Sequence, residues 1–344
     1  EHKLSFQERA LDHILTKKEM LFNEIIHVGG KSDFSMTIDE FNKIYDDGIN
    51  SVHDEKNSQY ASNKGRVIVV AEITTNHAGD MNRLYKLISL AHESGADYVK
   101  FQKRDVETFY SREELDKPYS SPFGSTFRDY RNGLELNYSQ FEDIASYCKS
   151  IGIGWFASVL DLQSYEFIKN FSPDIIKLPS TISEHKDFIK HVSEDFEKDV
   201  VISTGYTDQI FEDFVLENFN RCKNLYLLQC TSSYPTSYED ANVGVVRHYS
   251  NLGINNKRIK SGYSSHDIGS ICCMLAVSAG ASMVEKHVKL GSVDWLHFDD
   301  VAVDLGNGDF KKFVNDIRLA EKITGDKNKN IMKSEHHKYW VKND

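Results

Sequence analysis

A closed (β/α)8 barrel, the TIM-barrel form of the α/β class, is the fold this sequence predicts, with a helical N-terminal extension before it. Three observations carry that expectation. From Arg66 onward, short apolar runs alternate with amphipathic stretches of helical period, eight times over. The span they occupy, residues 66–324, is close to the roughly 250 residues such a barrel needs. Each of the eight runs also closes on a polar or ionisable residue, at the end where this fold gathers its chemistry. A doubly wound open sheet is the alternative architecture, but no glycine-rich dinucleotide fingerprint follows the first apolar run.

The elements follow in order. Within residues 1–65, Leu4, Leu11, Ile14, Leu15, Leu21, Phe22, Ile25 and Ile26 recur at helical spacing. A shorter helix starts at Thr37, which forms a capping-box pattern with Glu40, and stops at Gly48. A polar linker leads to the barrel, and this extension is expected to be an arm that packs on the barrel or on a second subunit. The predicted strands are Val67–Ile73, Asp97–Phe101, Ile153–Ala157, Asp174–Leu178, Asp199–Ile202, Leu225–Gln229, Arg258–Tyr263 and Ser282–His287. Amphipathic helices fall between or after them, among them Met81–Ser94, Ser139–Ser150, Leu162–Asn170 and Phe310–Ile323. Residues 325–344 form a lysine-rich tail or linker.

Composition narrows the function. Hydrophobic content of 40% and charged content of 27% are ordinary for a soluble globular chain. No apolar run approaches the length of a membrane span and no signal-peptide pattern opens the sequence, so a cytoplasmic location is the default expectation. A net charge of −11 argues against nucleic acid or an anionic membrane as a partner. Any anionic substrate must then be held by locally placed cations. The five cysteines, Cys148, Cys222, Cys230, Cys272 and Cys273, lack paired metal spacing and read as buried thiols.

The strand ends supply the chemistry. The first ends on Glu72, with Asn76 and His77 just beyond. The second ends on Lys100 and Gln102, two apart and so on one face. Ser158 closes the third, Lys177 the fourth with Ser180 after it, and Ser203 the fifth. Ser232 and Tyr234 follow the sixth, and the last two carry Ser264 with His266 and Glu285 with His287. Two lysines on buried strands require anionic partners. Those are a phosphate-bearing anion ringed by Ser158, Ser180, Ser203 and Ser264, or core carboxylates such as Glu72 and Glu285. A Schiff base is a third use for such a lysine. Histidines ending adjacent strands suit a shared divalent metal, so His266 and His287 are the candidate ligands. Glu72 is a candidate third ligand, base or sugar-hydroxyl acceptor, and His77 contacts substrate or caps the following helix.

The motifs themselves resemble the sialic acid synthase family. Ala71–Gln102 is similar to its opening segment, and IIKLPS (Ile175–Ser180), ISTG (Ile202–Gly205), LLQCTSSYPTS (Leu227–Ser237), GYSSH (Gly262–His266) and EKH (Glu285–His287) follow in the family's order. The resemblance implies condensation of phosphoenolpyruvate with an aldose, typically N-acetylmannosamine, to give a 3-deoxy-2-ulosonic acid and phosphate. It implies that Lys100 and Lys177 hold phosphoenolpyruvate with Ser158, Ser180, Ser203, Ser232 and Ser264 around it. It further implies Mn2+ or Mg2+ on His266 and His287, and Glu72, Tyr234 and Asp299 at the acceptor sugar, in a homodimer. The chain departs from the family pattern at Thr181-Ile182, where Gly-Glu is usual, at Ser265 in place of aspartate, and at Ser232-Ser233 in place of an asparagine. His297-Phe298-Asp299-Asp300 stands where the family has Gly-Pro-Asp-His, with Asp294 a competing match, and the family's antifreeze-like C-terminal domain is absent from this sequence.

Two alternatives remain open from the sequence. One is a Kdo- or heptulosonate-type synthase using a phosphorylated aldose, for which Arg104, Arg128 and Arg131 would supply the distal phosphate site. The other is a catalytically silent sugar-binding or scaffold module of a longer polypeptide.

Overall fold

A computed structural model describes residues 65–296, 301–326, 328–332, 334 and 335. The predicted N-terminal helices and Asp299 lie outside the described residues.

The strands are β1 (Ile68–Thr74), β2 (Tyr98–Lys103), β3 (Pro118–Ser121), β4 (Gly124–Thr126), β5 (Gly154–Val159), β6 (Ile175–Leu178), β7 (Asp199–Ser203), β8 (Leu225–Cys230), β9 (Ile259–Ser265), β10 (Met283–Lys289) and the short β11 (Val303–Asp304). β3 and β4 form a separate hairpin, and β11 extends from β10. The remaining eight pair in parallel in the order β1-β2-β5-β6-β7-β8-β9-β10, and β1 pairs back onto β10, closing the barrel. Helices cross between successive strands, for example Met81–Glu93, Tyr138–Ile151 and Leu162–Lys169, and Asp309–Thr324 follows the last. No helix among the described residues is long and apolar enough to cross a membrane.

Local sequence explains the boundaries. Asp80 starts the first of these helices by accepting from the Asn82 and Arg83 amides, and Asn137 and Gln140 cap the Tyr138 helix reciprocally. That helix ends at Gly152, whose φ of 79° is a conformation glycine adopts without a side-chain penalty.

The interior of the barrel sets the position of the site. Val70, Phe156, Ile175, Val201, Leu228 and Met283 form an apolar layer inside it, with Tyr98 packed on them. Side chains two residues apart on a strand share a face. The next inward residues are therefore Glu72, Ser158, Lys177, Ser203, Cys230, Glu285 and, after Tyr98, Lys100. Gly262 occupies the matching place on β9, where a Cβ would stand 2.6 Å from the Met283 carbonyl, and Ser264 follows it. An apolar floor thus carries a polar layer directly above it.

Between β2 and the Tyr138 helix the chain makes an excursion with internal structure of its own. It holds short helices at Val106–Phe109 and Arg112–Leu115, the β3–β4 hairpin and the helix Phe127–Leu134. Tyr130, Leu134 and Leu296 form a small core of their own, with Tyr119, Phe127 and Trp295 packed against it. The Tyr119 hydroxyl donates to the Trp295 carbonyl at 2.8 Å, fastening the excursion to the segment after β10.

Candidate active site

The polar layer opens into a cavity of about 280 Å3 lined by residues that include Glu72, Lys100, Gln102, Lys177, Ser180, Ser203, Tyr234, Ser264, His266, Glu285 and His287. Strand register places them. Glu72 lies beside Lys100 on one side and His287 on the other, and Ser158 is level with both Gln102 and Lys177.

Both lysines are met by carboxylates. Lys100 Nζ contacts Glu72, donates to Ser158 Oγ at 3.0 Å and lies 3.7 Å from Glu285. Lys177 Nζ contacts Glu285 Oε1, which also accepts from Ser264 at 2.8 Å. All four charged groups are buried, so each pair offsets a desolvation cost that neither partner could bear alone. Burial pushes Lys100 down to about 7, with Lys177 adding to the effect and Glu285 opposing it. Burial works to raise Glu285, but Lys100 and Lys177 overcome it and hold the carboxyl below its usual range. Of the two partners left open by the sequence, it is core carboxylates that meet the lysines in this structure. Ser203 Oγ and Glu285 Oε2, in the same layer, have no hydrogen-bond partner among the described residues.

The two histidines stand side by side, with ring centroids 5.6 Å apart. His266 Nδ1 lies 2.7 Å from the Thr231 carbonyl, which only accepts, so Nδ1 carries the proton. His287 Nδ1 lies 3.0 Å from Thr74 Oγ1, whose own proton goes to Glu72 at 2.7 Å, so this Nδ1 donates as well. Burial lowers both pKa values, His266 to about 4 and His287 well below its ordinary value. Each imidazole is therefore neutral near pH 7 with an unprotonated Nε2, held in orientation by an acceptor on its other nitrogen. That is the donor state and outer support of a metal-binding histidine, so these residues fit a divalent cation. Among the described residues, the only group of three possible ligands in mutual reach is elsewhere, at Glu166, His191 and Asp195 on two outer helices. There Asp195 is already engaged by Lys169 and Tyr165.

Other candidates are placed as follows. Tyr234 packs on His266 with ring centroids 4.0 Å apart and the planes tilted by 32°. Ser158 sits beneath the cavity as a Lys100 acceptor, and Ser232 reaches it through Ser180, to which it donates at 3.0 Å. Asn76 and His77 are not in the lining. Asn76 donates to the Val288 carbonyl at 2.7 Å, tying the loop after β1 to β10. His77 accepts from the Gly79 amide at 3.1 Å, and burial, with help from Arg83, lowers it to about 4. Both shape the loop instead of facing the cavity. The three-arginine cluster divides: Arg104 and Arg131 line the cavity, whereas Arg128 pairs with Glu107 and Asp116 at the surface.

The lining also includes residues that no sequence signal had marked, chiefly Phe109, Tyr110 and Leu160. The aromatic pair comes from the excursion, and an aromatic dipeptide just after a strand end was the available clue. Arg104 donates to Gln102 Oε1 and to the Tyr110 hydroxyl and pairs with Glu135 at 3.1 Å.

Comparison with known proteins adds to this geometry. The NeuB family profile matches residues 87–329. The chain is 31% identical over 284 residues to N-acetylneuraminate-9-phosphate synthase of Mus musculus, covering 80% of this chain and 76% of that one. It is 28% identical over 279 residues to N,N'-diacetyllegionaminic acid synthase of Campylobacter jejuni, covering 78% and 81%. The crystal structure of an N-acetylneuraminic acid synthetase from Leptospira borgpetersenii shares the fold, with a TM-score of 0.67 at 22% identity over 78% of this chain and 89% of that one.

Proposed function

The chain belongs to the NeuB family, and from that premise we propose that it condenses phosphoenolpyruvate with an aldose, N-acetylmannosamine or a related sugar, to give a 3-deoxy-2-ulosonic acid and inorganic phosphate. One observation carries the reading. Two buried lysines and two neutral histidines border a single cavity at the strand ends.

Phosphoenolpyruvate is a compact trianion, and Lys100 and Lys177 are the cations at the base of the cavity. Its entry moves Glu72 and Glu285 off their lysines, so charge pairs are exchanged and no ammonium is left bare. Ser180, Ser203 and Ser264 add hydroxyl donors, Ser203 Oγ being without a partner beforehand. In the reaction, C3 of phosphoenolpyruvate bonds to the aldehyde carbon and the aldehyde oxygen takes up a proton. Water then adds its oxygen to C2 and gives up one proton, the bond between C2 and the phosphate oxygen breaks with its electron pair leaving on phosphate, and the remaining hydroxyl proton passes to that phosphate as the C2 ketone forms. His266 and His287 would hold a divalent cation, Mn2+ or Mg2+, which would supply Lewis acidity toward the aldehyde. Lys100, titrating at about 7, exchanges a proton readily near neutral pH. Glu72, once released, accepts a sugar hydroxyl, and Tyr234 packs against the sugar beside His266.

The test is phosphate release from phosphoenolpyruvate with Mn2+ and a panel of hexosamines, hexoses and pentoses. Release should require the acceptor, stop on chelation and fall at least 100-fold in His287→Ala, whose bound manganese should also drop. Absence of release with every aldose would defeat the proposal, and full activity after chelation would defeat the role given to the histidines.

A further inference from the structure

Thr74 ends β1 in a backbone conformation that its side chain does not favour. Its φ of 50° lies in the left-handed region, which a β-branched residue seldom enters. The pairing with β2 shifts at this point, with Glu72 opposite Lys100 and Thr74 opposite Phe101, so β1 carries one residue more than its partner. Such a bulge re-aims the side chain beside it. Thr74 is 2% exposed. A strained, buried residue persists where its contacts over-determine it, and those of Thr74 join two residues of the cavity lining, Glu72 and His287.

The Thr74 amide and hydroxyl both donate to Glu72 Oε1, at 2.9 and 2.7 Å. With its proton so placed, Oγ1 accepts from His287 Nδ1 at 3.0 Å. The second carboxylate oxygen, Oε2, contacts Lys100 Nζ. A chain of polar contacts thus runs from His287 through Thr74 and Glu72 to Lys100, and in such a chain each bond polarises the next. Phosphoenolpyruvate that draws Lys100 away frees Oε2 only, because the two Thr74 donors retain Oε1. The carboxylate charge is then no longer offset by the ammonium and pulls harder on the hydroxyl proton. Oγ1 becomes the stronger acceptor for Nδ1–H, and electron density at His287 Nε2 rises.

We propose that Thr74 is a positioning residue that couples the two halves of the site, so that engagement of Lys100 by phosphoenolpyruvate strengthens the hold of His287 on a divalent cation. This rests on the condensation proposed above for the place of phosphoenolpyruvate. Coupling of this kind is reciprocal, and the cation tightens phosphoenolpyruvate by the same factor.

The experiment is calorimetric titration of Mn2+ into the wild type, Thr74→Ser and Thr74→Ala, each with and without phosphoenolpyruvate. Serine and alanine both remove the β-branch and relieve the backbone alike, so the two variants differ by the hydroxyl alone. The complex that Mn2+ forms with phosphoenolpyruvate in solution is common to all three proteins and cancels from the comparison. Without phosphoenolpyruvate, Thr74→Ala should bind Mn2+ about 10-fold more weakly than Thr74→Ser. Phosphoenolpyruvate should tighten Mn2+ by about 5-fold or more in the wild type and Thr74→Ser, and by a factor nearer one in Thr74→Ala. The same factor in both variants overturns the coupling while leaving the condensation standing. If phosphoenolpyruvate gives no binding heat with the wild type, the condensation reading fails, and Thr74 is judged by Mn2+ alone, where equal affinities in the two variants refute its role. A second measurement needs no change at Thr74. The Nδ1 proton resonance of His287, assigned by its loss in His287→Ala, should move downfield when phosphoenolpyruvate is added without metal, and an unmoved resonance with phosphoenolpyruvate bound refutes the relay.

Discussion

Replacing Glu285 by glutamine tests whether the paired charges are what permits a lysine to lie at the base of the barrel. The amide keeps the shape of the side chain and can still accept from Ser264, but Lys177 loses the carboxylate it contacts and Lys100 loses a neighbour at 3.7 Å. Breaking a buried ion pair from one side costs about 3–5 kcal/mol. Lys100, pushed down to about 7 with Glu285 opposing the fall, drops further once that side chain is neutral. Between its lowered folded pKa and 7 the unfolded chain binds an extra proton relative to the folded variant but the wild-type fold keeps its own, so the deficit is greatest at low pH and shrinks by up to about 1.4 kcal/mol per pH unit as pH approaches 7. Urea unfolding of Glu285→Gln and wild type at pH 5.5, 6.5 and 7.5 measures this directly. A loss under about 1 kcal/mol at every pH, or one that grows with pH, would refute the reasoning.

Two further predictions follow from buried groups. His77 is depressed from 6.5 to about 4 in the fold, so its contribution is complete above pH 6.5 and is lost as pH falls toward 4, by roughly 3 kcal/mol in all. Denaturation midpoints over that window should fall less steeply in His77→Gln than in wild type, and parallel curves would exclude His77 as a source of acid lability. Lys286 sits on the opposite face of β10 from Glu285 and His287, donating to Ser265 Oγ at 2.8 Å and to the Asp267 carbonyl. Ser265 and Tyr263 in turn bind the Asp267 carboxylate at 2.7 and 3.0 Å. Lys286→Met should cost about 3 kcal/mol and, by loosening the segment carrying His266 relative to His287, weaken Mn2+ binding by about 10-fold. Calorimetric titration showing unchanged Mn2+ affinity would reduce Lys286 to a purely structural role.

Much of the barrel was legible because parallel strands buried on both faces announce themselves as apolar runs, and the inward layer follows by counting in twos. Val70 to Glu72, Ile175 to Lys177 and Met283 to Glu285 are the same step on different strands. What counting in twos does not decide is which charge meets which. The engagement of Lys177 with Glu285 depends on side chains reaching across the barrel from strands that are not neighbours. Asn76 and His77 followed a strand end in the way functional residues do, yet their partners are Val288 and Gly79, and no local pattern separates a loop-holding histidine from a substrate-binding one. The excursion was opaque for a different reason. Its elements are short, and its core depends on contacts distant in sequence, such as Tyr119 with Trp295. Arg128 and Arg131 show the limit of composition within that segment. They lie three residues apart on one short helix, and one is neutralised at the surface while the other turns to the aromatic rings over the cavity.

The excursion's separate core has a consequence for how such an enzyme diversifies. Residues at the base of the cavity are locked to the register of eight strands, so altering them disturbs the closure of the barrel itself. Arg131, Phe109 and Tyr110 are borne by an insertion that shares a small core with Leu296 and Trp295 of the segment after β10, while Phe109 packs on the main barrel core. The bond-forming end and the recognising end of the site are thus under unequal constraint. Exchange of one inserted segment can give the same reaction a new customer while the barrel stays untouched.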